Sequence, residues 1–100
     1  MIVTVFRSRL KPDVRDDYDP MAARMSELAR AMPGYISHKV FTADDGERVT
    51  IVEFEDMESH RGWGQHPEHR AAQIHGRRAF YSEYKLQVCE VVRESKKAPE

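Results

Sequence analysis

The segment from His60 to Tyr84 carries most of the side chains in this 100-residue chain that can do chemistry. It contains the single tryptophan, Trp63, and four of the five histidines, together with four arginines and two tyrosines. Imidazole exchanges protons near neutral pH, guanidinium stabilises anionic oxygen, and indole stacks on flat rings. These groups suit a pocket for a flat, oxygen-bearing aromatic molecule. The competing interpretation is that Trp63 fills the core and the polar side chains face water.

Four polar side chains of this segment recur at i, i+3, i+7 and i+11, which predicts that they lie near one face of a helix. They are His66, His69, Gln73 and Arg77, with Trp63 before them and Tyr81 after them. Most of the apolar residues between them are alanines. Because alanine side chains leave space beside an indole, the pattern favours a pocket wall over a closely packed helix.

Other kinds of site find little support in the sequence. Pro67 lies between His66 and His69, and their spacing is not the HExxH of a zinc helix, so no metal site is predicted. Cys89 lies in a strand-like segment with no histidine nearby, and we expect a core thiol rather than a nucleophile. No glycine-rich phosphate loop occurs, so a nucleotide cofactor is not expected.

Length and charge bound the class of protein. One hundred residues suffice for one compact domain, and a net charge of −1 gives no electrostatic reason to expect nucleic acid or an anionic membrane as a partner. One cysteine allows no internal disulfide. The sequence shows no secretory signal, and no apolar run approaches the ~20 residues of a membrane span. We therefore expect a cytoplasmic protein.

Four segments rich in β-branched and aromatic residues predict strands, at residues 1–10, 35–42, 47–55 and 84–93. The Ala-Asp-Asp-Gly sequence between the second and third segments has turn chemistry, so these two strands are predicted to form a hairpin. Several strands carry apolar side chains on both faces. Such strands need cover on both sides of the sheet.

Helical periodicity runs from Tyr18 to Met32 and ends at Pro33-Gly34. Asp19 and Pro20 suit the N-cap and first position of this helix, and an earlier cap at Asp13 would instead leave Pro20 inside a longer helix. In the second half, a short helix from 57 to about 64 is predicted after an N-cap at Asp56. A further helical segment then covers roughly 67–81, beginning at Pro67.

The order β-α-β-β-α-β predicts an α+β domain with the ferredoxin-like arrangement. Right-handed crossovers place the helices on one face of a four-stranded antiparallel sheet. The other face would be a large exposed apolar patch, so we expect a second copy to cover it and to form a homodimer through the sheet faces. The domain is predicted to span 1–93, and the polar residues 94–100 are predicted to be a disordered tail.

Four stretches carry a resemblance to a known family. They are MPGYISHKVF, VTIVEFED, the pattern W-x-x-x-x-EHRAAQ beginning at Trp63, and YKLQVCEVVRE. Over about residues 1–93 the chain resembles the antibiotic biosynthesis monooxygenase domain of the dimeric α+β barrel superfamily. The resemblance implies a cavity between sheet and helices, a dimer, and an activity found in some members. Those members convert anthrones or quinols of polyketide origin into quinones with O2 and no cofactor.

The resemblance also suggests roles for particular residues. Trp63 falls at the position of a pocket tryptophan and would stack on the substrate ring, whereas Ser59 stands where some members carry an asparagine. His66 or His69 would accept the phenolic proton, and Arg77 would stabilise the developing oxyanion. Tyr81, His38, Gln73 and Arg7 complete the candidate substrate-binding set.

Two alternatives stay open. Haem-degrading relatives carry a strand-1 asparagine, a tryptophan in the second helix, and an iron-ligating histidine ten residues after it. Trp63 matches the tryptophan, but Arg7 and Gln73 stand at the other two positions. The third possibility is a barrel that binds a small aromatic molecule without transforming it.

Overall fold

The fold was obtained as a computed structural model, which describes residues 1–99. The elements are β1 (Ile2–Leu10), α1 (Arg15–Arg30), β2 (Tyr35–Thr42), β3 (Arg48–Phe54), α2 (Met57–Gln65), α3 (Pro67–Ala79) and β4 (Tyr81–Glu90). The strands form one sheet in the order β2-β3-β1-β4, and all neighbours are antiparallel. This arrangement confirms the predicted α+β, ferredoxin-like fold, with α2 and α3 as the two predicted helical segments of its second half.

The start of α1 differs from the main prediction. The helix begins at Arg15, so a start at Asp19 and Pro20 is wrong, and the alternative of a longer helix with Pro20 inside it is confirmed. Asp13 is not its cap: it adopts a positive φ of 64°, and the N-cap is Val14, whose side chain makes no capping hydrogen bond.

Burial of Tyr18 explains why the helix extends back past the proline. Its ring packs edge-to-face against Phe80 at 5.6 Å and lies 6.2 Å from Tyr81, so tertiary contacts fix the first turn of α1. The same aromatic cluster moves the next boundary. We predicted that β4 begins at Tyr84, but it begins at Tyr81, which pairs with Leu10 of β1.

Local sequence determines where α2 begins and how closely it approaches the end of α1. The Asp56 carboxylate accepts a hydrogen bond from the Ser59 backbone N–H at 2.8 Å, which confirms it as the N-cap of α2. Gly34, just after α1, adopts a φ of 78°, and a Cβ at this position would collide with the Ser59 side chain. Glycine is therefore required both for the backbone conformation and for the close approach of α2.

Alternate side chains of each strand point to opposite faces of the sheet. Thr4 and Phe6 of β1 face the helices, and we call this side the front face. Val3 and Val5 point to the opposite side, the back face. Cys89 pairs with Val3 and is exposed on the back face, so the prediction of a core thiol is wrong. The strand alternation was read correctly, but only the front face has helices to bury it.

The core lies at one end of the sheet. Phe54 is fully buried and packs with Ala29 of α1 and Trp63 of α2, surrounded by partly buried Met25 and Leu28.

Within residues 1–99, no helix has the length and apolar character that a membrane span requires. The domain limits of 1–93 and the disorder of residues 94–100 stay predictions, and Glu100 lies outside the described residues.

The substitution Phe54→Ala tests the importance of this core. Because Phe54 has no exposed surface, removing its ring should lower the free energy of unfolding by about 3–5 kcal/mol. Urea denaturation at fixed protein concentration measures the change. Ile74→Ala, on a side chain that is 48% exposed, is the control and should change stability by less than about 0.5 kcal/mol. Equal effects of the two substitutions would contradict the assigned core.

Candidate functional site

A cavity of about 390 Å³ lies between the front face of the sheet and the helices. Its floor is formed by front-face side chains of all four strands, and its roof by α1, α2 and α3. The roof is built largely from methionines and small residues: Met21, Ala22, Met25, Ala29 and Ala72. Of the alanines on the third helix, only Ala72 lines the cavity, and the other lining alanines belong to α1. The volume suits a small ligand of two or three fused rings.

A stacked pair of rings forms one wall of the cavity. The ring centroids of Trp63 and His69 lie 4.0 Å apart with an angle of 11° between the ring planes. Nδ1 of His69 lies 2.9 Å from the Trp63 backbone oxygen. A carbonyl oxygen can only accept, so Nδ1 carries the proton and Nε2 is left as the basic nitrogen of the neutral ring. Burial lowers the pKa of His69, which keeps this base unprotonated at neutral pH.

The break between α2 and α3 creates this geometry. His66 ends α2 and caps α3, where its Nδ1 accepts a hydrogen bond from the Glu68 backbone N–H at 3.2 Å, and Pro67 follows at the first helical position. Its ring lies 5.8 Å from Trp63 but does not line the cavity. The structure therefore gives His66 a capping position, and of the two predicted bases only His69 reaches the cavity.

A second imidazole lines the cavity from β2. The Nδ1 of His38 lies 2.6 Å from the Tyr35 hydroxyl, and its Nε2 lies 2.8 Å from the Ser26 hydroxyl of α1. Burial and then the charge of Arg30 lower the pKa of His38. Both ring nitrogens already have partners, so His38 is less available than His69 to take a proton from a ligand.

His60 is a cavity residue that the sequence analysis missed. It lies on α2 three residues before Trp63, and its ring centroid is 6.1 Å from that of Phe54. Burial lowers its pKa. The i, i+3 relation to Trp63 could have identified it, since this spacing places both side chains on one face of α2.

The opposite end of the cavity carries arginines and tyrosines. The Arg77 guanidinium lies 5.7 Å from the centre of the Tyr84 ring, and both residues line the cavity. Tyr81 lines it too, and burial raises the pKa of its hydroxyl, so this tyrosine stays protonated. Arg48 of β3 is a further lining residue that sequence reasoning missed. It lies two residues before Thr50 on the same strand and therefore shares its front face.

Of the predicted substrate-binding residues, one lies in the cavity as a neighbour of His69 and another lies outside it. Gln73 lines the cavity, one helical turn after His69. Arg7 does not, because it points to the back face, where its Nη2 donates to Glu47 at 2.8 Å. Period-two alternation in β1 separates Arg7 from front-face Phe6, and this alternation would have excluded it. Trp63, Tyr81, His38 and Arg77 all line the cavity, and their roles toward a ligand stay predictions.

No group of three His, Cys, Asp or Glu side chains within residues 1–99 is placed so that it could hold a metal ion. The lining side chains themselves include three imidazoles, two guanidinium groups and an aromatic wall.

Comparison with known proteins gives the relationships of the chain. A family model described as antibiotic biosynthesis monooxygenase matches residues 1–74. The uncharacterized protein YqjZ of Bacillus subtilis is 31% identical over 90 residues, which are 90% of this chain and 79% of that protein.

Solved structures share the whole fold. Rv0793 from Mycobacterium tuberculosis has a TM-score of 0.82 at 17% identity, covering 95% of this chain and 98% of that one. SnoaB, a cofactor-independent oxygenase from Streptomyces nogalater, has a TM-score of 0.80 at 14% identity, covering 96% and 97%. At such identities the structural likeness shows the fold alone. The family model, which matches 74 of the 100 residues, shows that the chain belongs to the antibiotic biosynthesis monooxygenase family.

Proposed function

We propose that the protein is a monooxygenase that needs no cofactor and acts on a phenolic, quinol or polyketide-type aromatic substrate with O2. The observation that carries the proposal is the Trp63–His69 pair. It holds a neutral imidazole against a cavity wall with one nitrogen fixed as a donor and the other left basic. SnoaB, which has the same fold, is described as a cofactor-independent oxygenase and supports the same reaction class.

The proposed reaction balances without any added reductant. With an anthrone as the example, Nε2 of His69 removes a proton from the substrate, and the resulting delocalised anion gives electrons to O2 and forms a carbon–oxygen bond. The peroxide takes up the proton. Loss of the remaining hydrogen from that carbon, with cleavage of the O–O bond, yields the carbonyl and water. The methylene is oxidised by four electrons, and O2 supplies one atom to the product and one to water.

Arg77 and the indole have supporting roles in this proposal. Arg77, which lies at the opposite end of the cavity from His69, stabilises the negative charge that delocalisation spreads away from the deprotonated atom. Trp63 contributes an aromatic surface, but His69 already covers one of its two ring faces, so only the other can meet a substrate. Gln73, Tyr81 and His38 orient the ligand through their polar groups.

We also propose that two copies associate through the back faces of their sheets. Val5 and Ile51 are paired at the centre of that face, and Phe41, paired with Val49, is 49% exposed. Burying these side chains against a second copy would remove the apolar surface from water. The ion pair of Arg7 with Glu47 lies beside this patch.

Binding without turnover is the main alternative, because a cavity of this kind can hold an aromatic ligand whether or not O2 reacts. Haem degradation has less support. Gln73, at the position of the iron ligand, bears an amide, and Arg7, at the strand-1 position, lies on the back face away from the cavity. Haemin titration tests the haem-degrading alternative, since specific binding would give a sharp, saturable Soret band.

Oxygen uptake by metal-free protein with a panel of anthrones and hydroquinones tests the proposed reaction. His69→Asn should lower the rate by about 10²-fold or more, because it removes the proton acceptor. His66→Asn is the matched control and should retain nearly full activity, since asparagine is also a good helix N-cap. Saturable ligand binding without uptake above buffer would establish the binding alternative. A larger loss in His66→Asn than in His69→Asn would contradict the assignment of the base.

The pH dependence of the same reaction gives a second test. A general base works in its unprotonated form, and burial lowers the pKa of His69. The rate should therefore be constant through neutral pH and fall only below the ordinary pKa of a histidine. Steady-state kcat/KM from pH 5 to 8, measured with a substrate that does not titrate there, gives the profile. A midpoint above the ordinary histidine value would contradict the buried neutral base.

Sedimentation tests the proposed dimer. The wild-type protein should sediment at twice 11.7 kDa at micromolar concentration, and Ile51→Glu should shift it toward the monomer by placing charge on the back face. Ile74→Glu, on the exposed surface of α3, makes the same chemical change and should leave the dimer intact. A wild-type protein that sediments only as a monomer would rule the dimer out.

A further inference from the structure

The cavity has two chemically different ends. Arg48 and Phe54 stand at the two ends of β3, six residues and therefore about 20 Å apart along the strand. Trp63 and His60 lie near Phe54, whereas Tyr18 and Tyr84 lie near Arg48. One end therefore offers imidazoles and an indole, and the other offers guanidinium groups and phenol rings.

Among residues 1–99, no carboxylate pairs with Arg48 at its end of the cavity. Its guanidinium carbon lies 4.9 Å from the centre of the Tyr18 ring, and its Nη1 is shielded from solvent without any hydrogen-bond acceptor. Arg48 as a whole is half-buried, but a guanidinium nitrogen that is shielded from solvent normally has a hydrogen-bond acceptor beside it, because an unpaired buried polar group is unfavourable. Two other arginines of the sheet do have anionic partners, in solvent-exposed ion pairs: Arg7 pairs with Glu47, and Arg9 with Asp45 and Glu83.

The rest of the lining strengthens the contrast. Arg77 also lines the cavity, and among residues 1–99 no Asp or Glu side chain does. The three lining imidazoles, of His38, His60 and His69, have pKa values lowered by burial and are neutral near pH 7. The cavity wall thus carries positive charge from two arginines with no carboxylate to balance it.

We propose that Arg48, assisted by Arg77, is the binding site for an anionic group of the ligand, so that the substrate is an elongated aromatic acid. Guanidinium binds carboxylate through two parallel hydrogen bonds, which would satisfy the buried Nη1. His69 and Arg77 are eight residues apart on α3, about 12 Å along the helix axis. A molecule of two or three fused rings spans that distance, with its carboxylate at Arg48 and its reactive hydroxyl at His69.

This inference deepens the proposed function, since it assigns a ligand class to the same cavity, but its test does not depend on turnover. The probes are 6-hydroxy-2-naphthoate and its uncharged relative 6-hydroxy-2-naphthamide, which have the same ring system. Isothermal titration calorimetry at pH 7 gives both dissociation constants. The wild-type protein should bind the carboxylate at least about tenfold more tightly than the amide.

Variants then assign this preference to Arg48. Arg48→Gln should abolish the preference for the carboxylate while leaving the Kd of the amide unchanged, and Arg48→Lys should restore part of it. Arg70→Gln, an equivalent change on the exposed surface of α3, is the control and should keep the full preference. The amide Kd reports whether each variant still has an intact cavity.

Two outcomes would overturn the inference. One is equal binding of the two probes by the wild-type protein, which needs no variant and so does not depend on Arg48→Gln folding. The other is an equal loss of affinity for both probes in Arg48→Gln, which would mean that Arg48 only packs against Tyr18. Oxygen uptake is read separately: a protein that never consumes O2 can still prefer the carboxylate, and an active one can lack the preference.

Discussion

Two aromatic clusters hold the helices on the sheet, and the cavity is the space between them. At one end Phe54 packs with Trp63 and Ala29, and at the other Tyr18 packs with Phe80. Between these contacts the helices present methionines and small residues to the cavity, and these side chains leave the middle open. Stability and the binding site thus come from the same arrangement, because the large side chains that anchor the helices at the ends leave the centre of the front face open.

The fold was predictable because its signals are local and repeated. Strand alternation, the Pro33-Gly34 stop and the Asp56 cap each identify an element without knowledge of the others. The boundaries that were wrong depend on contacts between distant segments. Tyr18 extends α1 only because Phe80 is there to pack against it, and β4 begins early because Tyr81 pairs with β1. Periodicity within a single segment contains no information about such partners.

The site was predicted less completely, for a related reason. The helix pattern correctly gathered His69, Gln73 and Arg77, since one helix face can be read from spacing alone. It also included His66, whose side chain the helix break turns into a cap. Arg48 was missed because an arginine at the start of a strand is usually solvated. The shielding of its Nη1 depends on the folded arrangement, in which α1 brings Tyr18 to within 4.9 Å of the guanidinium carbon.

The two ends of the cavity are complementary in their electrostatics. Removing a proton from a phenol inside an apolar cavity creates an anion that has lost its hydration, which is unfavourable unless charge or hydrogen bonds replace the water. The imidazole end provides an acceptor that burial keeps neutral and therefore able to take the proton. The arginine end provides positive charge that no carboxylate among the described lining residues balances. A carboxylate among the lining residues would pair with an arginine and raise the pKa of nearby imidazoles. Its absence from the described lining therefore favours both steps of the proposed reaction, the uptake of the proton and the stabilisation of the anion.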